Sequence, residues 1–240
     1  RVANGSFGTG YPQARMIAEL IGGPLKLTEE EIVEVAKHFL NTLNKEGLHF
    51  VSEARNTLFV FAAGNDGLSN DEYGSFPTNI DADNVISVAA TIGAGKLASF
   101  SNFGKNTVDV AAPGVAINST VPDNMYLQVS GTSQAAPYVS NIAALVSETN
   151  SELMPIQIKK IIMKTVDKRR SYEASVKAGG DVNMDRAVQA AENTLKMNLD
   201  EAIELSHKQI KATDEEKGLS KDGTLYEGYV LPMPSPFVLK

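Results

Sequence analysis

Short apolar runs alternate along the chain with segments of helical periodicity, and this alternation predicts an α/β fold with a mostly parallel sheet flanked by helices. Residues 57–63 (TLFVFAA) are apolar without alternation, which predicts a strand covered on both faces. Gly64-Asn65-Asp66-Gly67 follows directly and predicts a turn. Residues 85–90 and 108–111 predict two more strands, and residues 2–4 predict the end of another.

Four helices are predicted between and after these strands. The first begins at Thr28, because Thr28 and Glu31 have the spacing of a capping box, and Gly47 is expected to end it. The second runs from about Ser133 to Thr149, the third begins with Pro155 in its first turn, and the fourth surrounds residues 184–195. The apolar positions expected to face the core in the first three are Ile32, Val35, Ala36, Phe39, Leu40, Leu43, Ala136, Val139, Ile142, Ala143, Val146, Ile158, Ile161, Ile162 and Thr165.

The sequence changes character after residue 195. A charged stretch that is expected to be helical runs from residue 196 to 217, and residues 231–236 (LPMPSP) favour an extended conformation because their prolines are closely spaced. We therefore divide the chain into a main unit, residues 1–195, and a C-terminal extension, residues 196–240. The extension is expected to pack on the outside of the core or to be disordered.

Composition narrows the range of functions. The 240 residues include 22 Lys and Arg against 29 Asp and Glu, a net charge of −7, and no run of basic residues is interleaved with aromatics, so nucleic acid is not an expected partner. Cysteine is absent, which excludes disulfides, thiolate metal sites and a cysteine nucleophile. No stretch has the roughly 20 apolar residues of a membrane span, and no leader follows Arg1, so we expect the chain to begin within a longer protein.

The most specific chemical signal is Gly131-Thr132-Ser133-Gln134-Ala135-Ala136-Pro137, placed directly before a predicted helix. Taken alone, Ser133 is most simply a helix N-cap. Gly131, however, permits a tight turn, and the small Ala135 and Ala136 leave room beside free backbone N–H groups. A helix start of this kind also suits the stabilisation of an oxyanion.

Two further segments precede Ser133, and each follows a predicted strand. They are Ala62-Ala63-Gly64-Asn65 and Ala111-Ala112-Pro113-Gly114, at the strand ends where open α/β sheets form their sites. Together, Gly-Thr-Ser-x-Ala-x-Pro, Ala-Ala-Gly-Asn and Ala-Pro-Gly resemble the subtilisin-like serine peptidases, or subtilases. Residues 76–77, 84–90 and 98–104 are similar to the same family, and the resemblance extends from about Val2 to Leu195.

The resemblance implies a serine endopeptidase that forms an acyl-enzyme. Ser133 matches the nucleophile, and Asn65 matches the side-chain donor of the oxyanion hole, with the Ser133 N–H as the second donor. Asn65 could otherwise be a simple turn residue. Residues 4–8 match the substrate-binding strand, although the plain alternative is a strand and turn. The residues expected to form two walls along an extended peptide or protein substrate are Ser6, Phe7, Gly8, Ala62, Ala63 and Gly64.

The sequence lacks a candidate for the general base that a serine nucleophile needs. His38, His49 and His207 are interpreted as solvated or structural, and neither the family's His-Gly-Thr-His type segment nor its Asp before Gly occurs. Both motifs lie upstream of the Asn4 region in the family. We therefore expect the N-terminal strands to be missing, the chain alone to be inactive, and its partner to be the N-terminal part of the same catalytic domain.

Two hypotheses remain open at the level of sequence. A catalytically silent relative would keep the fold as a peptide-binding or structural module, although Ser133 and Asn65 argue against it. No cofactor is expected, apart from a weak calcium hypothesis based on Asp66, Asn70, Asp71 and Glu72 and on Asp81, Asp83 and Asn84, which lack EF-hand spacing. The resemblance also implies a secreted or extracytoplasmic protein.

Overall fold

A computed structural model describes residues 1–93 and 95–212. The residues predicted to be Pro-rich and extended, 231–236, lie outside this part, as do residues 213–217 of the predicted helical stretch. The described elements are β1 (Val2–Gly5), β2 (Thr9–Gly10), α1 (Tyr11–Leu25), α2 (Glu29–Glu53), β3 (Leu58–Ala62), β4 (Ser75–Phe76), β5 (Val85–Thr91), β6 (Val110–Pro113), β7 (Ile117–Val121), β8 (Met125–Val129), α3 (Thr132–Thr149), α4 (Pro155–Lys164), β9 (Asp167–Lys168), a 3₁₀ turn (Arg170–Tyr172), β10 (Gly180–Asp181), α5 (Met184–Asn193) and α6 (Leu199–Gln209).

A six-stranded sheet in the order β1-β3-β5-β6-β10-β9 forms the centre of the fold. All neighbouring pairs are parallel except β10 and β9, which confirms the predicted α/β class with a mostly parallel sheet. The predicted strand at 108–111 lies two residues later, at Val110–Pro113, because Ala112 and Pro113 pair with Ala90 and Thr91. Boundary shifts of this size are usual where a strand enters a sheet.

Alternate side chains of β3 enter two different cores. Leu58, Val60 and Ala62 pack in the cluster that contains α3, whereas Phe61 packs with Val51 of α2 on the other face. The strand is therefore covered on both sides, as its unbroken apolar run predicted. The sheet consequently lies between two helical layers, and its carboxyl edge remains available for a site.

Helix α3 crosses the face of the sheet and contacts β1, β3, β5 and β6. All five positions predicted to be buried on it are completely buried, and so are Thr132 and Ala135 in its first turn. The helix begins one residue before the predicted start, so Ser133 is its second residue. Burial on this scale holds the first turn of α3 rigidly at the carboxyl edge of the sheet.

The prediction that Gly47 ends its helix is wrong. Thr28 and Glu31 form the predicted capping box, but α2 continues through Gly47 to Glu53. A Cβ on Gly47 would lie 2.5 Å from Cδ1 of Ile80 and 2.9 Å from Cε2 of Phe76. Glycine at position 47 therefore allows α2 to pack closely on its neighbours, although glycine within a helix lowers the stability of that helix.

Helix α1 and the hairpin of β7 and β8 were not predicted from the sequence, and neither were the 3₁₀ turn and the two-residue strands β2, β4, β9 and β10. Helix α1 packs on α2 in a small separate core that includes Tyr11, Ala14 and Ala18. Its first turn holds a proline, and glycine and proline near its end obscure the helical pattern. In β8, Met125, Tyr126 and Leu127 are all exposed, so the hairpin does not show the alternation that identifies a half-buried strand.

The start of the predicted C-terminal extension contains α6, which packs on α5. Ala202, Ile203 and Ser206 are buried, and Ile203 belongs to the main hydrophobic core. The division of the chain between residues 195 and 196 stays a prediction.

A buried ion pair fixes the junction of these C-terminal elements. Arg186 Nη1 lies 2.7 Å from Asp167 Oδ1, and both side chains are at most 4% exposed. The same guanidinium donates to the carbonyl oxygens of Thr165, Val166 and Ile210. The pair therefore joins α5 to β9 and to the end of α6.

We expect Arg186→Leu to lower the free energy of unfolding by about 3–5 kcal/mol, because it removes the guanidinium that faces the buried Asp167 carboxylate. Lys160→Met is the matched control, since it removes a partner of Asp200 at the surface and should cost about 0–1 kcal/mol. Urea unfolding of both variants gives the comparison. Equal losses would contradict a structural role for the buried pair.

Candidate active site

Ser133 lies in the first turn of α3, in contact with the segment after β1. Its Oγ donates to the Ser6 carbonyl oxygen at 3.4 Å, and Ser6 Oγ donates to the Ser133 carbonyl oxygen at 2.9 Å. The predicted nucleophile and the predicted substrate-binding segment are therefore adjacent. Ser133 is partly exposed, and this leaves its hydroxyl accessible.

Asn65 is held against the same helix start by Thr132. The Asn65 Oδ1 accepts from the backbone N of Thr132 at 2.8 Å and from the Thr132 hydroxyl at 2.9 Å. Thr132 Oγ1 in turn accepts from the Gly64 N–H at 3.2 Å. These bonds fix which end of the Asn65 amide faces the helix, so Nδ2 points away from Thr132.

The Asn65 Nδ2 and the Ser133 N–H are donors with no acceptor among residues 1–93 and 95–212. The Ser133 N–H belongs to the first turn of a helix, where no acceptor exists within the helix. A carbon at the Cβ position of Gly131 would lie 3.6 Å from the Ser133 N and 3.7 Å from Nδ2. It would also lie 2.8 Å from Oε1 of Gln134, the end of a flexible side chain, which would have to move aside for an oxyanion to bind there. The two donors therefore border one small space beside Gly131, which is chemically suited to an oxygen atom that carries negative charge.

The backbone of Ala62, Ala63 and Gly64 is already hydrogen-bonded within the chain. The three carbonyl oxygens accept from Thr78 Oγ1, Asn70 Nδ2 and the Asn102 N–H, respectively. Ala63 has no exposed surface, and Ala62 is only 7% exposed. Phe7, in the other predicted wall, is 64% exposed. The substrate-binding roles of all six residues stay predictions.

All three histidines lie on helices and are exposed, His38 and His49 on α2 and His207 on α6. His207 Nε2 is within 2.9 Å of the Lys164 carbonyl oxygen. None of the three is hydrogen-bonded to Ser133. Within the described part of the chain, the Ser133 hydroxyl therefore has no imidazole beside it.

The residues of the calcium hypothesis are mostly occupied by other contacts. The carboxylate of Asp71 accepts from Asn106 N and Nδ2 and from the Thr107 hydroxyl, and Asn70 is bonded to Ala63 and Asn102. Among the described residues, no three His, Cys, Asp or Glu side chains are grouped to hold a metal ion. The calcium hypothesis remains a prediction that no observation tests.

Asp66, next to Asn65, is the only titratable group of this loop with a perturbed pKa. Partial burial raises the pKa of its carboxyl, and hydrogen bonds from Asn102 and Gln13 oppose that change. Gln13 belongs to the first turn of α1, so a helix that the sequence did not predict contacts the loop. The sequence contains no signal from which a contact between residues 13 and 66 could be predicted.

Gly64 has a conformation and surroundings that only glycine suits. Its φ is +110°, and a Cβ would lie 2.4 Å from Nδ2 of the buried Asn102. Left-handed backbone of this kind costs other residues about 1–3 kcal/mol. The contact with Asn102 adds a steric term, because both groups are held by further hydrogen bonds.

We expect Gly64→Ala to lower the free energy of unfolding by more than Gly74→Ala, with a difference of at least about 1 kcal/mol. Gly74 is the matched control because its φ is +77° but a Cβ there would make only ordinary contacts, at 3.8 Å or more. Chemical denaturation of both variants measures the difference. If the two losses were equal, backbone strain alone would explain the glycine at 64.

Comparison with known proteins gives a consistent result. The model of the subtilase family matches residues 1–192. The extracellular protease of Xanthomonas campestris pv. campestris is 40% identical over 151 residues, which cover 58% of this chain and 25% of that protein. Subtilisin BL of Lederbergia lenta is 37% identical over 112 residues, 47% of this chain and 39% of that protein. The chain thus spans about a quarter to two-fifths of the length of these relatives.

A solved structure shares the fold. The self-cleaved protease domain of PatA is 26% identical and superimposes with a TM-score of 0.51 over 61% of this chain and 54% of that chain. The described helices of the present chain include none that is both long and apolar enough to span a membrane.

Proposed function

The chain belongs to the subtilase family, and on that premise we propose that it supplies the nucleophile and the oxyanion hole of a serine endopeptidase. Ser133 Oγ attacks the carbonyl carbon of a peptide bond while a general base takes the hydroxyl proton. The C–N bond then breaks, the proton passes to the leaving amine, and the acyl group stays on Ser133 until water hydrolyses the ester. The oxygen of the attacked carbonyl takes up negative charge. The Asn65 Nδ2 and the Ser133 N–H stabilise that charge more than they stabilise the uncharged ground state.

The single observation that carries this proposal is the pair of unpaired donors around Gly131. Both are held in place before substrate arrives, Asn65 through Thr132 and the Ser133 N–H through the buried start of α3. Donors that need no reorganisation are what makes an oxyanion hole effective. A structural turn or a simple N-cap would not require two such donors to face one space.

The general base is proposed to come from outside this chain. No histidine in it is bonded to Ser133, and the family's histidine and aspartate motifs do not occur in the sequence. The N-terminal part of the same catalytic domain is the proposed partner, because the family's base lies there. Among the described residues, β1 pairs only with β3, and its other edge is where further strands of that part would add to the sheet.

A peptide or protein is the proposed substrate, bound in extended form along Ser6, Phe7 and Gly8. These residues come directly after β1, at the edge of the sheet, so a peptide can pair with their backbone groups irrespective of its sequence. The site is proposed to act outside the cytoplasm. The support for this is that relatives include proteins named as an extracellular protease and, in Bacillus subtilis, as a cell wall-associated protease.

In the full-length protein, Gly131→Ala should lower kcat by about 10-fold or more, because the new methyl group fills the space between the two donors. The φ of Gly131 is 161°, an extended value that alanine also adopts. The one close contact of the new Cβ with the described residues, 2.8 Å from Gln134 Oε1, is with the end of a flexible side chain that can move aside, so the melting temperature should change little. Initial rates on a peptide substrate and a thermal melt check both parts. An unchanged kcat would place the oxyanion elsewhere.

The isolated 240-residue chain should neither hydrolyse peptides nor react with a fluorophosphonate, because the Ser133 hydroxyl has no base beside it. In subtilisin, a member of this family, loss of the histidine alone lowers turnover by roughly 10⁶. The full-length protein should do both and lose both on Ser133→Ala.

Rapid labelling of Ser133 in the isolated chain would contradict the proposal, since one of its own histidines would then act as base. A full-length protein that stays unlabelled but still binds peptides would support the catalytically silent module instead.

A further inference from the structure

A buried asparagine, Asn102, is hydrogen-bonded to the loop that carries Asn65 on both sides of that residue. Its backbone N–H donates to the Gly64 carbonyl oxygen at 2.9 Å. Its side-chain Oδ1 accepts from the Asp66 N–H at 2.9 Å and from the Leu68 N–H at 3.1 Å. Asn102 is 2% exposed, so these bonds lie where water does not compete with them.

The other end of the Asn102 amide continues into a second buried amide. Its Nδ2 donates to Asn70 Oδ1 at 3.0 Å, and Asn70 Nδ2 donates to the Ala63 carbonyl oxygen at 2.9 Å. Asn70 is 1% exposed. The relay thus runs from the loop at Asp66, through two buried amides, back to Ala63 just after β3.

We infer that Asn102 is a positioning residue that fixes the loop carrying Asn65, and that it acts on the reaction only through Asn65. The inference rests on the proposed function, because Asn65 is a catalytic donor only there. Asn102 makes no hydrogen bond to Asn65 itself, and it holds the backbone on either side, at Gly64 and Asp66. Asn102 thus fixes both neighbours of Asn65, and Thr132 orients the Asn65 side-chain amide. The Asn65 Nδ2 is therefore held in place although it makes no hydrogen bond itself to any residue that the structure describes.

Two features separate this role from ordinary core packing. The Asn102 side-chain oxygen accepts from two N–H groups of the same five-residue turn, residues 64–68. Gly64 is also shaped around Asn102, since a Cβ at 64 would overlap its Nδ2. Loop and amide therefore fit each other closely, and a loop placed to within a fraction of an ångström is what a catalytic donor requires.

The test is a set of variants of the full-length protein assayed on a peptide substrate. Asn102→Ala removes the acceptor of Asp66 and Leu68 and should lower kcat by about 10-fold or more, with KM changed by less than about 3-fold. Asn102→Asp keeps that acceptor but replaces the donor to Asn70 Oδ1 with an oxygen, so it should recover part of kcat. Asn193→Ala is the matched control, because Asn193 is similarly buried and donates to Ala202 and Gln209, between α5 and α6. It should lower stability but leave kcat unchanged.

A double-mutant cycle with Asn65→Ala decides whether Asn102 acts through Asn65. Asn65→Ala alone should lower kcat by roughly 10²–10³, and Asn102→Ala should then add less than about 2-fold. If Asn65→Ala lowers kcat and Asn102→Ala still adds its full effect, the inference is overturned and the proposed function stands. If Asn65→Ala leaves kcat unchanged, the proposed function is overturned, and the inference with it.

Amide hydrogen exchange gives a readout that does not depend on activity. In Asn102→Ala, protection of the backbone amides from exchange should fall at Asp66 and Leu68 and be retained along β3 and β5. Asn102→Asp should show the same pattern with a smaller loss. Loss of protection spread evenly over β3 and β5 would mean that Asn102 only supports the core, and would overturn the inference.

Discussion

The burial of α3 against the parallel sheet is the constraint on which the site depends. Its buried side chains are alanine, valine and isoleucine, apart from Thr132 in the first turn, so the helix packs closely over four strands. Close packing of small side chains leaves the helix little freedom to slide or rotate. Because the helix begins where the parallel strands end, Ser133 and the first free N–H groups are presented at the carboxyl edge of the sheet, beside the loop that follows β3.

The elements of this layer were predictable from the sequence for the same physical reason. Strands covered on both faces are apolar without interruption, and α3 and α4 show helical periodicity because one side of each is completely buried. The pairing of Ser133 with the Asn65 loop came from the motifs and from the rule that strand ends meet at one edge. The structure places Asn65 and Ser133 on either side of Thr132, although their catalytic roles remain proposals.

What the sequence did not reveal depends on contacts between distant residues. Gly47 is indistinguishable in sequence from a helix stop, and only the side chains of Phe76 and Ile80 explain why the helix passes through it. Helix α1 contains glycine and proline, and its partner is another helix, so neither composition nor pattern identifies it. The hydrogen bonds of the Asn102 and Asn70 amides could not be predicted from the sequence either. A buried asparagine and a surface asparagine are the same residue type and differ only in the groups around them.

The contacts of Arg186 and Asn193 bear on how the protein can be divided for expression. Arg186 Nε donates to the carbonyl oxygen of Ile210, and Asn193 Nδ2 donates to that of Ala202, so α5 is bonded to α6 by buried donors. A chain cut at residue 195, where the sequence changes character, would keep both donors and lose both acceptors. It would also uncover the core surface on which Ile203 packs. A truncated chain should therefore retain α6 and at least Ile210 after it, so that low solubility of a shorter piece is not mistaken for a property of the site.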